Sequence, residues 1–281
     1  MIIREITPAD LVFAVDSVTR EGWISETRDV FEAFYVHDPH GCFVGEHDGH
    51  PIGMIVATAY ERSGFLGELI VDPDHRGHGC GAQLLKHAIA YLRGRGCGSF
   101  YLDGDTPAVP LYKRLGFRVV CRSLRFLGEV EQFHSPRVRA MKTDDLAAVA
   151  RIDRDEFGED RSFFLTGKHR DNPEFCHMLF DDGRLTGYIF AQPGNDIVSV
   201  GPWWVADGEK HGLDLLRSVA ASAGDMRLRI GVLETNNRAT ALVRELTGMT
   251  ETECSWRMVL GEGINLGESP RLWAVGAPAT G

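Results

Sequence analysis

No run of apolar residues in this chain approaches the roughly 20 needed to cross a bilayer. The N-terminus, Met1-Ile2-Ile3-Arg4-Glu5-Ile6, brings in an acid early and lacks the apolar core of a signal peptide. Cysteine is sparse and scattered, at 42, 80, 97, 121, 176 and 254, with no C-x-x-C pair. That pattern reads as reduced thiols in a cytoplasmic protein rather than as a disulfide framework. Positive charge is also short, with 30 Lys and Arg against 40 Asp and Glu and a formal net charge of −10. The deficit argues against a nonspecific nucleic-acid binder and mildly favours approach of a cation. These absences set aside membrane and nucleic-acid partners. What remains is an ordinary soluble composition, 43% hydrophobic and 25% charged, over 281 residues, enough for one large domain or two of common size.

The histidines gather early, at 37, 40, 47 and 50, in two H-x-x-H pairs. Both pairs fall in turns, and neither a cysteine nor a carboxylate completes a ligand set, so no metal site is expected.

The stretch with most chemistry is Leu69 to Leu85. Leu69-Ile70-Val71 ends a buried strand, Asp72-Pro73-Asp74 breaks it, and Arg76 opens a loop with Gly77, Gly79 and Gly81 at alternate positions. From Ala82 the apolar residues Leu84, Leu85, Ala88, Ile89 and Leu92 follow helical spacing. A glycine-rich turn that feeds a helix presents successive backbone N–H groups at the positive end of the helix dipole, an arrangement suited to phosphates.

V-D-P-x-x-R-G-x-G-x-G closely resembles the pyrophosphate-binding motif of the GNAT acyltransferase superfamily. Downstream, Ala108 to Phe117 resembles that superfamily's A-x-x-L-Y-x-x-x-G-F helix and turn. The resemblance implies acetyl-CoA as co-substrate, held by Leu69, Ile70 and Val71 of the strand and by Arg76, Gly77, His78, Gly79, Cys80, Gly81 and Ala82 of the loop. His78 and Cys80 enter this list through their backbone, with no chemical role for their side chains. The resemblance also implies acetyl transfer to a primary amine by direct attack. Glu68, on the strand entering the loop, is the expected general base, with a pKa raised by apolar neighbours. Tyr112, in the L-Y of the second motif, is the expected general acid. The competing readings are a strand-edge glutamate and a core tyrosine in a noncatalytic acyl-CoA-binding or sensing protein.

Around these motifs the chain reads as alternating strands and helices. Ile2 to Ile6 is a strand, and Thr7-Pro8-Ala9-Asp10 opens a helix. Cys42 to Glu46 and Pro51 to Tyr60 form a hairpin turned at Asp48-Gly49, because glycine tolerates positive φ. Phe117 to Cys121 and Leu124 to Leu127 close the first domain near Gly128. Trp23 and Tyr35 fit core packing or a wall of the acceptor site.

The pattern then restarts. Val138-Arg139-Ala140-Met141 parallels Ile3-Arg4-Glu5-Ile6, and the landmarks Arg4, Gly49 and Gly116 recur at Arg139, Gly183 and Gly248, an offset of about 132–135 positions. The second copy departs at the loop. Val205 to Leu216 has lost the arginine and two of the glycines, and it carries Glu209 and Asp214 where a pyrophosphate would sit. Asn237 matches an asparagine common in the superfamily, where the first copy has Asp105. Trp203 and Trp204, adjacent on an extended segment, face opposite ways, so burial of both requires cover on both sheet faces.

The expected fold is therefore α/β (α+β): two tandem GNAT-like domains, each a mixed, mostly antiparallel sheet flanked by helices. Domain one spans 1–130, a degenerate domain two spans 137–262, and the 263–281 tail docks as a strand through Arg271 to Val275. The oligomeric state is left open between monomer and homodimer.

Overall fold

A computed structural model of the chain describes residues 1–208, 210–276 and 280–281. The first repeat runs β1 (Ile2–Glu5), α1 (Leu11–Arg20), α2 (Arg28–His37), β2 (Cys42–His47), β3 (His50–Ala59), β4 (Ser63–Val71), α3 (Cys80–Gly94), β5 (Ser99–Asp105), α4 (Val109–Arg114) and β6 (Arg118–Gly128). The second runs β7 (Val138–Ala140), α5 (Leu146–Phe157), α6 (Ser162–Asp171), β8 (His177–Asp181), β9 (Arg184–Pro193), β10 (Ile197–Val205), α7 (Gly212–Ala223), β11 (Arg227–Leu233), α8 (Asn237–Glu245), β12 (Met249–Glu251), β13 (Ser255–Leu260) and β14 (Leu272–Ala274). The final strand expected over Phe117 to Cys121 and Leu124 to Leu127 is β6, which runs without a break.

The repeat is visible in the side chains. Arg4 grips Asp10 with both η nitrogens, at 2.8 and 2.9 Å, and Arg139 grips Asp145 in the same way, at 2.7 Å twice. In each copy the pair ties the first strand to the start of the first helix. The guanidinium holds both carboxyls down, to about 2. The hairpin turns match as well. Asp48 and Gly49 have φ of 51° and 79°, and Asp182 and Gly183 have 45° and 76°. Two consecutive positive φ values make the two-residue turn whose twist fits antiparallel strands.

The chain divides into two compact units that do not follow the repeats. Unit 1 holds Met1–Val120, Trp256–Ile264 and the last residues, and unit 2 holds Cys121–Ser255 and Asn265–Ala277. Unit 1 has the strand order β1-β2-β3-β4-β5-β13, and unit 2 has β6-β11-β10-β9-β8-β7. The boundaries read from sequence, 130 and 137–262, follow the chain, whereas the units exchange their last strands. β13, from the second repeat, stands beside β5, and most of β6, from the first, pairs antiparallel with β11 from Leu228↔Gly128 to Leu233↔Ser123.

The unit 1 core lies on both faces of its sheet. On one face α3 sets Leu84, Leu85, Ala88, Ile89 and Leu92 against Leu66, Phe100 and Leu102. On the other, Leu11, Ala14, Val18 and Phe31 of α1 and α2 pack on Met54 and Ile70. In unit 2 both tryptophans are buried, as cover on both faces requires. Trp203 meets Trp273 edge-on at 4.9 Å, and Trp204 stacks on Tyr188 at 5.6 Å. Among the described residues no helix is long and apolar enough to cross a membrane.

Candidate active site

Most ladders are antiparallel, and β4·β5 is an exception. These strands pair in parallel only at Ser63–Phe65 with Ser99–Tyr101. Beyond Phe65, β4 continues on β3 while β5 diverges, and the two strands open toward the glycine loop. On the β3 side Asp72 N donates to Ile52 O at 2.8 Å, and Ile70 faces Met54. Strand alternation then turns the backbone groups of Leu69 and Val71 toward β5. Ile70, expected to offer its backbone to a ligand, spends it on β3 and its side chain on the α1–α2 core.

Between Val56↔Gly67 and Met54↔Ile70 the register shifts, with two residues between Gly67 and Ile70 where Val56 and Met54 have one. This is a β-bulge, and Glu68 sits in it with φ 53°. Such a backbone on a non-glycine residue costs about 1–3 kcal/mol and concentrates at functional positions. The bulge has a geometric result. Leu66 packs with α3 whereas Ile70 packs with α1 and α2, so the alternation of β4 changes face across the bulge that holds Glu68. Glu68 is only 4% exposed.

Tyr112 packs in the α3-side core with Leu102 and Phe117. Its ring lies so close over β5 that a Cβ on Gly104 would stand 2.3 Å from Tyr112 Cε2. The residue is 7% exposed. Burial, then the nearby Asp105 carboxylate, hold its phenol well above the usual range, so it keeps its proton as a donor. Asp103, on the other side of β5, meets the buried Arg257 of β13, Nε to Oδ1 at 2.5 Å, and the guanidinium lies 5.1 Å from the Phe65 ring centre.

The loop itself is open. Gly77 and Gly79 have φ of 80° and 82°, which glycine adopts at little cost, and a Cβ added at either would meet no atom within 4 Å. Gly79 caps α3, whose first bond runs from Gln83 N to Gly79 O at 3.1 Å, leaving the N–H groups of Cys80, Gly81 and Ala82 ahead of it. N–H groups ahead of the first helical bond, positive φ and free space beside Gly77 and Gly79 fit a pyrophosphate. The Arg76 guanidinium is already engaged. Its Nε donates to Val71 O at 2.8 Å, and Nη2 donates to Glu21, at the end of α1. Its first task is to brace the loop. His78 is exposed, and Cys80 is buried at the start of the helix. Of the early histidines, expected in turns, His37 instead ends α2, His40 lies in the tight turn before β2, and His47 and His50 flank the β2–β3 turn; no group of three or more His, Cys, Asp or Glu gathers among the described residues.

Two family models match the chain: Acetyltransferase (GNAT) family over residues 9–117 and Acetyltransferase (GNAT) domain over residues 149–273. The chain belongs to the GNAT acetyltransferases. Among curated relatives, glucosamine 6-phosphate N-acetyltransferase of Trypanosoma brucei brucei is 30% identical over 95 residues, 32% of this chain and 61% of that protein. The match thus spans less than two thirds of that relative. Among solved structures, a Pyrococcus horikoshii protein assigned as an acetyltransferase aligns with a TM-score of 0.84 at 23% identity, over 100% of this chain and 95% of that one. A tandem GNAT protein from the clavulanic acid biosynthesis pathway aligns at 0.63 and 12% identity, over 94% and 99%. At these identities the structural likeness shows the tandem GNAT fold.

The second GNAT unit lacks the loop. Asp214 lies in the first turn of α7, and Glu209 falls outside the described residues. Asn237 is the first residue of α8. Asn236, not Asn237, caps α8, its Oδ1 accepting from Ala239 N at 3.0 Å. The bulge at Glu68 and the Asp103–Arg257 pair escaped sequence reading, since neither leaves a local signal in the residue types.

Proposed function

We propose that the first unit is an acetyl-CoA-dependent N-acetyltransferase acting on a primary amine in the cytoplasm. The observation that carries this reading is the strained Glu68 bulge at the mouth of the β4–β5 opening, with an intact phosphate cradle at one end. Acetyl-CoA supplies the activated acyl group. The N–H groups at the start of α3, with Gly77 and Gly79, bind its pyrophosphate, and Leu69 and Val71 offer backbone groups along the opening. Glu68, in the bulge, takes a proton from the incoming ammonium, directly or through a water. Tyr112, packed on the α3 side, donates a proton to the departing sulfur. The six cysteines are free, in keeping with a reducing compartment.

The test measures thiol release with a panel of primary amines (amino acids, polyamines, aminoglycosides and peptide N-termini). Glu68→Gln should lower turnover by roughly 10²–10⁴-fold with acetyl-CoA affinity unchanged. Wild-type turnover in that variant would remove Glu68 from the chemistry, and no thiol release by the wild-type protein with any amine would leave a binding protein.

A further inference from the structure

Unit 2 has the same parallel pair at the same place in its sheet. β10 and β11 pair from Ile197↔Arg227 to Val200↔Ile230 and then stop. In unit 1 the strands diverge there and leave an opening. In unit 2 the place is filled. β14 pairs antiparallel with β10 at Trp203↔Ala274 and Trp204↔Leu272, and it also packs against β11. Val205 N donates to Arg271 O at 2.9 Å. We propose that residues 265–276 are an internal ligand: the cleft that would take the pantetheine arm of a coenzyme in this unit is instead an extended-peptide site, occupied by the chain's own tail.

Every part of the segment has a dedicated receptor. Asn236, which caps α8 through its Oδ1, turns its Nδ2 to the tail and donates to Pro270 O at 3.1 Å and Leu272 O at 3.0 Å. Arg161, fully buried and paired with Asp153 at 2.7 and 2.8 Å, donates from Nη1 to Val275 O at 2.5 Å. Glu156 accepts from Ser269 and pairs with Arg271 at 3.0 Å. The Trp273 ring is buried against Trp203 and covered by the Arg238 guanidinium at 4.9 Å. Gly201 lies beneath the end of the segment, and a Cβ there would come within 3.1 Å of the Gly276 backbone. Backbone carbonyls are thus read by side chains from the turn before α6 and the cap of α8, the Ser269 and Arg271 side chains by Glu156 of α5, while one aromatic side chain anchors the centre. This is how an extended peptide is recognised at a sheet edge. It also explains why this copy tolerates the loss of the phosphate-binding glycines.

Two measurements decide the proposal, and neither needs unit 1 to be active. In the intact chain, hydrogen exchange at Leu272–Ala274 should be as slow as at Ile197–Val200. Exchange as fast as in the exposed Gly261–Glu262 loop would overturn it. A protease site is then inserted after Ile264 and cut. The released segment should co-elute with the folded body at one per chain, and cutting should add no acetyl-CoA site to whatever number the intact chain shows. Loss of the segment from a body that keeps its circular dichroism, its displacement by millimolar acetyl-CoA, or one further acetyl-CoA site per chain would each overturn the proposal.

Discussion

Replacing Gly79 and Gly81 separately by alanine adds the same methyl group two positions apart, and the outcomes should differ in sign. Gly79 holds φ at 82°, and its added Cβ meets nothing within 4 Å, so the penalty is conformational and not steric. A left-handed backbone costs an L-residue about 1–2 kcal/mol. The chain either keeps the conformation and loses that stability, or relaxes φ and turns the N–H groups away from the pyrophosphate position. Each charge-assisted bond so lost is worth about 1.5–3 kcal/mol, which weakens acetyl-CoA binding by about tenfold or more. Gly81 lies inside α3, and its added Cβ would stand 3.5 Å from Leu111 Cδ2 and 3.6 Å from Val71 Cγ2, ordinary contact distances. Gly81→Ala should therefore stabilise the helix by about 0.5–1 kcal/mol and leave affinity within about twofold. Urea unfolding and calorimetric titration with acetyl-CoA read both effects. Equal affinity and stability in Gly79→Ala and wild type, or a larger loss in Gly81→Ala, would refute the assignment of the loop.

Three further outcomes follow from packing and charge. Gly104→Ala forces the Tyr112 ring off β5 and should cost about 1–3 kcal/mol in urea unfolding, with turnover falling more than acetyl-CoA affinity. A chain cut to residues 1–130 keeps Asp103 but loses β13 and Arg257; breaking a buried pair costs about 3–5 kcal/mol, a large share of a domain's stability, so circular dichroism should show it unfolded or aggregating. Lys168, 7% exposed with Nζ 3.2 Å from Gln192, has its pKa lowered to about 8 by burial. Between that value and the ordinary one near 10.5 the unfolded chain binds more protons, so stability rises with pH across this window and is flat below it. Lys168→Met should remove that slope and stabilise the protein at pH 7 by about 1–3 kcal/mol, measured by urea unfolding at pH 7, 9 and 10.5.

What could be read from sequence was what local chemistry fixes. The Gly77–Gly79 loop was legible because positive φ restricts the residue type, and the tandem repeat because Arg4 and Asp10 recur with their spacing at Arg139 and Asp145. The strand exchange was not, since β6 and β13 carry similar alternating apolar patterns and nothing in either names its sheet neighbour. Glu68 was picked by its place before the loop, yet the positive-φ position of the bulge is Glu68 itself and not the neighbouring Gly67, so the residue types did not mark it. The tail was read as a strand from Arg271 to Val275, of which Leu272–Ala274 pair, while its seat beside Trp203 depends on side chains far away in sequence. Ile70 was misread because which edge of β4 a backbone faces depends on the β3 register.

The central claim, that the first unit alone holds the coenzyme, is tested most directly by hydrogen exchange with and without saturating acetyl-CoA. Slowed exchange at Gly77–Ala82 and at Leu69 and Val71, with no change at residues 212–216, is the expected result. Protection at 212–216, or no protection anywhere at millimolar acetyl-CoA, would contradict it.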